Sequence, residues 1–177
     1  MNLQSFAKEL ERDLKQKFGE HIRFWVWPKY NDVNGFYGNG IINNAVLIWI
    51  TERPSSARDF PDWIDKIFYR LLKEEGLENM HLTDFVKIMD DAGKPPTKEE
   101  LKISAEWMKK EIELLKLDGK KLIIVANSKN VKMWMDKYLP DYPCLYCEFF
   151  KRTLRYGKEM REQLLRDKLK KLIKYTL

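Results

Sequence analysis

Two short stretches carry side chains that could do chemistry, each directly after an apolar run. The first, WITERPSSARDF at residues 49–60, places a carboxylate (Glu52), a rigid Pro54 and two hydroxyls (Ser55, Ser56) where a strand should give way to a helix. A carboxylate among free backbone N–H groups suits a water nucleophile beside a phosphate or a base, with Glu52 as the candidate base. The same residues also fit a turn in which Ser55 or Ser56 caps the next helix. The second, HLTDFVK at 81–87, offers Asp84 to accept hydrogen bonds from ring N–H groups and Lys87 to meet a phosphate. A strand-end Asx turn accounts for Asp84 equally well.

The elements that must hold these residues follow from hydrophobic periodicity. Residues 3–18 read as an amphipathic helix stopped by Gly19, and 21–27 as a short strand ended by Pro28. A Gly- and Asn-rich loop over 31–44 precedes AVLIWI at 45–50, whose unbroken apolar character predicts a strand covered on both faces. A helix over 60–75 closed by Gly76, a strand over 79–86 and a loop over 87–96 come next. Thr97, with Glu100 three residues on, forms a capping box that starts a long helix through Leu115. Strand 121–126, helix 128–138, strand 142–148 and a basic terminal helix complete the order.

Strand and helix alternate, which predicts one domain over 1–177: a three-layer α/β/α sandwich around a central, mainly parallel four-stranded sheet. In such sheets ligands bind at the carboxyl ends of the strands, near a switch point. Those ends are residues 51–56, 83–87, 127–128 and 149–155, and the last two add Ser128 and the cations Lys151, Arg152 and Arg155 as candidate phosphate ligands.

Charge is concentrated in the same terminal region. Residues 151–177 hold ten basic and three acidic side chains, or +7, whereas the other 150 residues hold 23 basic and 24 acidic ones, or −1. A segment so basic suits a polyanion. From Arg166 onward a solvated helix face is the simpler explanation, since Leu164, Leu165, Leu169, Leu172 and Ile173 fall at helical spacing. With 23 aromatics in 177 residues the chain has apolar mass for one sizeable core. The longest apolar run is far short of the roughly 20 residues a membrane helix needs, and Met1 opens a charged helix without a signal-peptide core, so a soluble intracellular protein with no membrane partner is expected. Abundant Lys and Glu with only three Gln fits a thermophile composition.

The succession TERPS, HLTDFVK, a PPTxEEL helix containing EWMKKEIELLK, KLIIVANS, and a final strand followed by RYGK resembles the uracil-DNA glycosylase superfamily over roughly residues 41–165. The resemblance implies a DNA-repair hydrolase that binds damaged or single-stranded DNA as a monomer, everts a deaminated base such as uracil, and cleaves its N-glycosidic bond without a cofactor or metal. It makes Glu52 the residue that positions the attacking water, with Thr51 where the family usually has Gly. Phe60, with Phe85 in reserve, would stack on the base, and Asp84 would read its edge where the family carries an amide. An ionised carboxylate accepts hydrogen bonds and does not donate them, so a base preference other than uracil is expected. Ser55, Ser56, Lys87, Ser128, Lys151, Arg152 and Arg155 would hold phosphates. The family's His motif after its final strand is absent here. Lys151 or Arg152 would supply the cation for the leaving base instead, or the protein is a catalytically inert nucleic-acid-binding relative.

Other signals carry less. PCLYC at 143–147 has CxxC spacing but lies within an apolar strand, and two cysteines cannot supply the four thiolates of an iron-sulfur cluster. His21 and His81, one opening a strand and one inside another, are expected to serve structure. GNG at 38–40 reads as a turn, lacking the strand and third Gly of a dinucleotide site.

Overall fold

A computed structural model describes residues 3–20, 47–53, 63–77, 80–88, 94–116, 121–147 and 157–174. The expected strand at 21–27, the loop at 31–44, and Ser55, Ser56, Phe60, Lys151, Arg152 and Arg155 lie outside the described residues.

The elements run α1 (Leu3–Phe18), β1 (Leu47–Thr51), α2 (Trp63–Glu74), β2 (Met80–Asp84), α3 (Lys98–Leu115), β3 (Ile123–Ala126), α4 (Lys129–Tyr138), β4 (Leu145–Tyr146) and α5 (Lys158–Ile173). Local chemistry sets their ends. Gly19 takes φ +94° and donates to the Lys15 carbonyl at 2.8 Å, which stops α1. Gly76 at φ +72° bonds Lys73 while Leu77 bonds Leu72, the paired bonds of a Schellman end. The capping box on α3 is present as expected: Thr97 accepts from the Glu100 N–H at 3.2 Å, and the Glu100 carboxylate accepts from the Thr97 N–H at 2.6 Å.

The four strands form one all-parallel sheet in the order β2-β1-β3-β4, an α/β sandwich fold. Among the described residues of the last strand, Leu145 and Tyr146 pair, opposite Val125 and Ala126, and 142–144 do not. Period-two alternation divides each strand between two apolar clusters. Ile48, Ile50, Ile124 and Ala126 pack with α1, α3 and α4, whereas Leu47, Trp49, Ile123 and Val125 pack with α2 and α5. Aromatic edges lock both: Phe6 meets Trp107 at 5.3 Å and Trp49 meets Phe68 at 5.3 Å. No helix among the described residues is long and apolar enough to cross a membrane.

α5 buries Leu165, Leu169 and Leu172 against the second cluster, and Arg166 forks onto Glu74, the last residue of α2, and Glu75 beyond it, at 2.6 Å each. The distal basic helix is therefore a packing element whose Arg166 charge is answered within the fold, as its leucine spacing led one to expect.

Candidate functional site

The strand order creates a switch point. From β1 the chain crosses by α2 to β2 on one side, then returns by α3 to β3 on the other. α2 and α4, which follow β1 and β3, belong to clusters on opposite faces, so the carboxyl ends of β1 and β3 form the switch point at which open α/β sheets generally take their ligands. Backbone pairing runs one step past the strands and fixes this edge. Phe85 N–H bonds the Thr51 carbonyl (2.8 Å), Val86 N–H the Glu52 carbonyl (3.0 Å), Asn127 N–H the Ile50 carbonyl (2.9 Å) and Cys147 N–H the Ala126 carbonyl (3.0 Å).

Glu52, half-buried, directly follows β1, and its Oε1 accepts from Asn130 Nδ2 at 3.2 Å across the switch point. Asp84, 7% exposed, pairs in register with Thr51 and accepts a hydrogen bond from the Thr51 hydroxyl through Oδ1. Arg53, which follows Glu52, donates to the Lys94 carbonyl at 2.8 Å and approaches Glu100 at 3.4 Å. The fold thus brings Glu52, Asp84 and the first turn of α4 to one edge, where a carboxylate held by an amide can orient a water.

Three expected ligands do other work. Ser128 is the N-cap of α4, its hydroxyl oxygen accepting from the Val131 N–H at 3.2 Å. Ser128→Ala is expected to cost about 1 kcal/mol of unfolding free energy while Ser128→Asp retains it, as read by urea denaturation. Phe85 is fully buried and packs on Trp134 at 5.5 Å, which corrects its reserve role: a ring in the core cannot stack on a base. Lys87 is 2% exposed, and its ammonium donates to the Thr83 hydroxyl (2.6 Å) and to Glu111, so a phosphate does not reach it.

That last contact belongs to a buried polar cluster that sequence reading missed. Glu111, on α3, accepts from His81 Nε2 at 2.7 Å through one oxygen and from Lys87 through the other. Burial by itself would raise the Glu111 pKa. The Lys87 charge, the His81 hydrogen bond and the remaining His81 and Lys87 interactions outweigh it and hold the group down at about 2. His81 serves structure, as its place inside a strand implied. The available signal was a carboxylate on the apolar stripe of α3, between Met108 and Ile112.

Cys144 packs against the α1, α3 and α4 cluster and Cys147 within the α2 and α5 cluster, so the CxxC pair is split between opposite faces. Burial raises both thiol pKa values. Among the described residues no group of three His, Cys, Asp or Glu could hold a metal ion.

Fold and site together define a parallel α/β sandwich with carboxylates at the carboxyl edge of its switch point. No family model, curated protein or solved structure matches the chain.

Proposed function

We propose that the protein binds DNA and hydrolytically removes a damaged, deaminated base such as uracil, as its resemblance to the uracil-DNA glycosylase superfamily implies. One observation carries this reading: Glu52 is held by Asn130 across the switch point, the place where open parallel sheets take their ligands. In this scheme the nucleotide is everted at a cost of a few kcal/mol, smallest for a mispaired base. Glu52 then aligns water at the sugar carbon of the N-glycosidic bond. The water oxygen bonds to that carbon as the bond to the base breaks, the base leaves with the bonding electrons, and the proton lost by the water ends on the departed base. Asp84, buried at the same edge and already accepting from the Thr51 hydroxyl, is the acceptor that would read a base presenting donors there.

A catalytically inert binder is the second reading, and one observation favours it. His81 is 4% exposed and committed to Glu111, so it does not serve the leaving base at the carboxyl edge. Incubation with labelled oligonucleotides bearing uracil, hypoxanthine or xanthine, followed by alkaline cleavage of abasic sites, separates the two. Strand scission at a lesion is the expected result. No scission at any of the three, with DNA still bound, would replace the hydrolase by the binder.

A further inference from the structure

α4 turns a second face outward. Val131, Trp134 and Met135 bury one side, whereas Lys129, Lys132, Met133, Asp136 and Lys137 recur at the spacing of a single helical stripe. With Tyr146 of β4 they line a groove of about 560 Å³. Its apolar members are unusually open to solvent: Met133 is 56% and Tyr146 42% exposed. Its charge is lopsided, three lysines against one aspartate, and Lys132 already answers Asp136 at 2.6 Å. The groove therefore keeps a net positive charge beside an accessible aromatic ring.

Position gives the groove meaning. Tyr146 pairs with Ala126, the last residue of β3, and so stands level with the carboxyl edge. Lys129 opens α4 next to Asn130, the residue that holds Glu52. From Lys129 to Lys137 the helix advances about 12 Å, enough for more than one phosphate at the ~3.4 Å spacing along a strand.

We propose that this groove binds single-stranded nucleic acid, with phosphates on Lys129, Lys132 and Lys137 and a base stacked on Tyr146. The strand would run from the groove toward Glu52, which Asn130 beside Lys129 holds. The assignment deepens the proposed glycosylase activity, on which it rests, by naming where the strand beside the target base lies. Lysines with an open aromatic form the usual platform for single strands, phosphates supplying attraction and the ring accepting any base face.

Fluorescence anisotropy with a labelled 15-mer of deoxythymidine, titrated over salt, tests it. The triple variant K129A/K132A/K137A should bind more weakly and flatten the log–log salt slope by about 2, near 0.7 per lost phosphate contact. Tyr146→Ala should weaken binding roughly 5- to 150-fold at unchanged slope, with Tyr146→Phe close to wild type. All four residues are on the surface, and a thermal melt checks each fold; Lys129→Glu alone replaces the triple variant if that one melts early. Wild-type affinity and slope in both Tyr146→Ala and the lysine variant would overturn the groove, and base release by the same proteins would then leave the glycosylase reading standing. Loss of binding in the variants without base release by the wild type would do the reverse. Absence of binding by the wild type overturns both. Displacement of the oligonucleotide by poly-glutamate at equal charge would reassign the groove to an acidic protein segment.

Discussion

Glu111→Ala is expected to lower the unfolding free energy by about 3–5 kcal/mol, the range for breaking a buried ion pair by removal of one partner. The loss would come less from the missing attraction than from what stays behind. Lys87, 2% exposed, would keep its ammonium in the core with only the Thr83 hydroxyl, and His81 Nε2 would lose its acceptor. Replacing both charges, as Glu111→Leu with Lys87→Met, should recover most of the loss, because two apolar chains of similar volume leave no buried charge unanswered. Urea midpoints of the single and double variants give the measurement. A double variant as unstable as Glu111→Ala would show that the cluster matters through its hydrogen bonds and not through its charge balance.

The same cluster sets an acid limit. Glu111 ordinarily titrates near 4.5 and is held at about 2 in the fold, so its carboxylate is favoured by folding. Its contribution is complete above pH 4.5 and disappears as pH falls from there through 2, on the order of 3 kcal/mol in all. Glu111→Gln should remove that portion of the wild-type loss. An identical acid profile in the Gln variant would exclude Glu111 as its source.

Glu52→Ala is expected to slow base release by 10²- to 10⁴-fold, the usual worth of a positioned acid–base group, with affinity for DNA and thermal stability close to wild type. Glu52 is half-buried at the edge and its described side-chain partner is Asn130, so its removal opens no cavity in either apolar cluster. Glu52→Gln then divides two roles. An amide still accepts from Asn130 and can orient water, but it does not take a proton; retention of activity in Gln and loss in Ala would mark Glu52 as a positioning residue. An unchanged rate in Glu52→Ala would take the residue out of the chemistry altogether. The readout is the single-turnover rate of abasic-site formation, which a merely structural change would not alter at constant melting temperature.

Much of the scaffold was legible along the chain. The spacing of Phe6, Leu10 and Leu14 with Gly19 behind them defines α1, the unbroken LIWI defines a doubly covered strand, and Thr97 with Glu100 marks the start of α3. The last strand was less so: of the described residues in the run over 142–148, Leu145 and Tyr146 pair, because pairing length depends on the neighbour β3, which ends at Ala126. Site residues divided in the same way. Glu52 and Asp84 reach the carboxyl edge because position after a parallel strand is a local property. Lys87 and Phe85 follow the same strand and yet turn into the core, drawn by Glu111 and Trp134.

By itself, then, the amino-acid order determined the alternation of strand and helix, their caps and stops, and which residues follow each strand. Those are set by neighbours within a few positions: side-chain period, a glycine able to take positive φ, a hydroxyl able to cap. Tertiary structure alone decided that Glu111 meets Lys87 and His81, 24 and 30 residues away, that Asn130 reaches Glu52 from 78 residues away, and that Tyr146 closes a groove with α4. A charge shows which partner it needs, but its partner's location depends on how the sheet orders its strands, and no short-range pattern encodes that order.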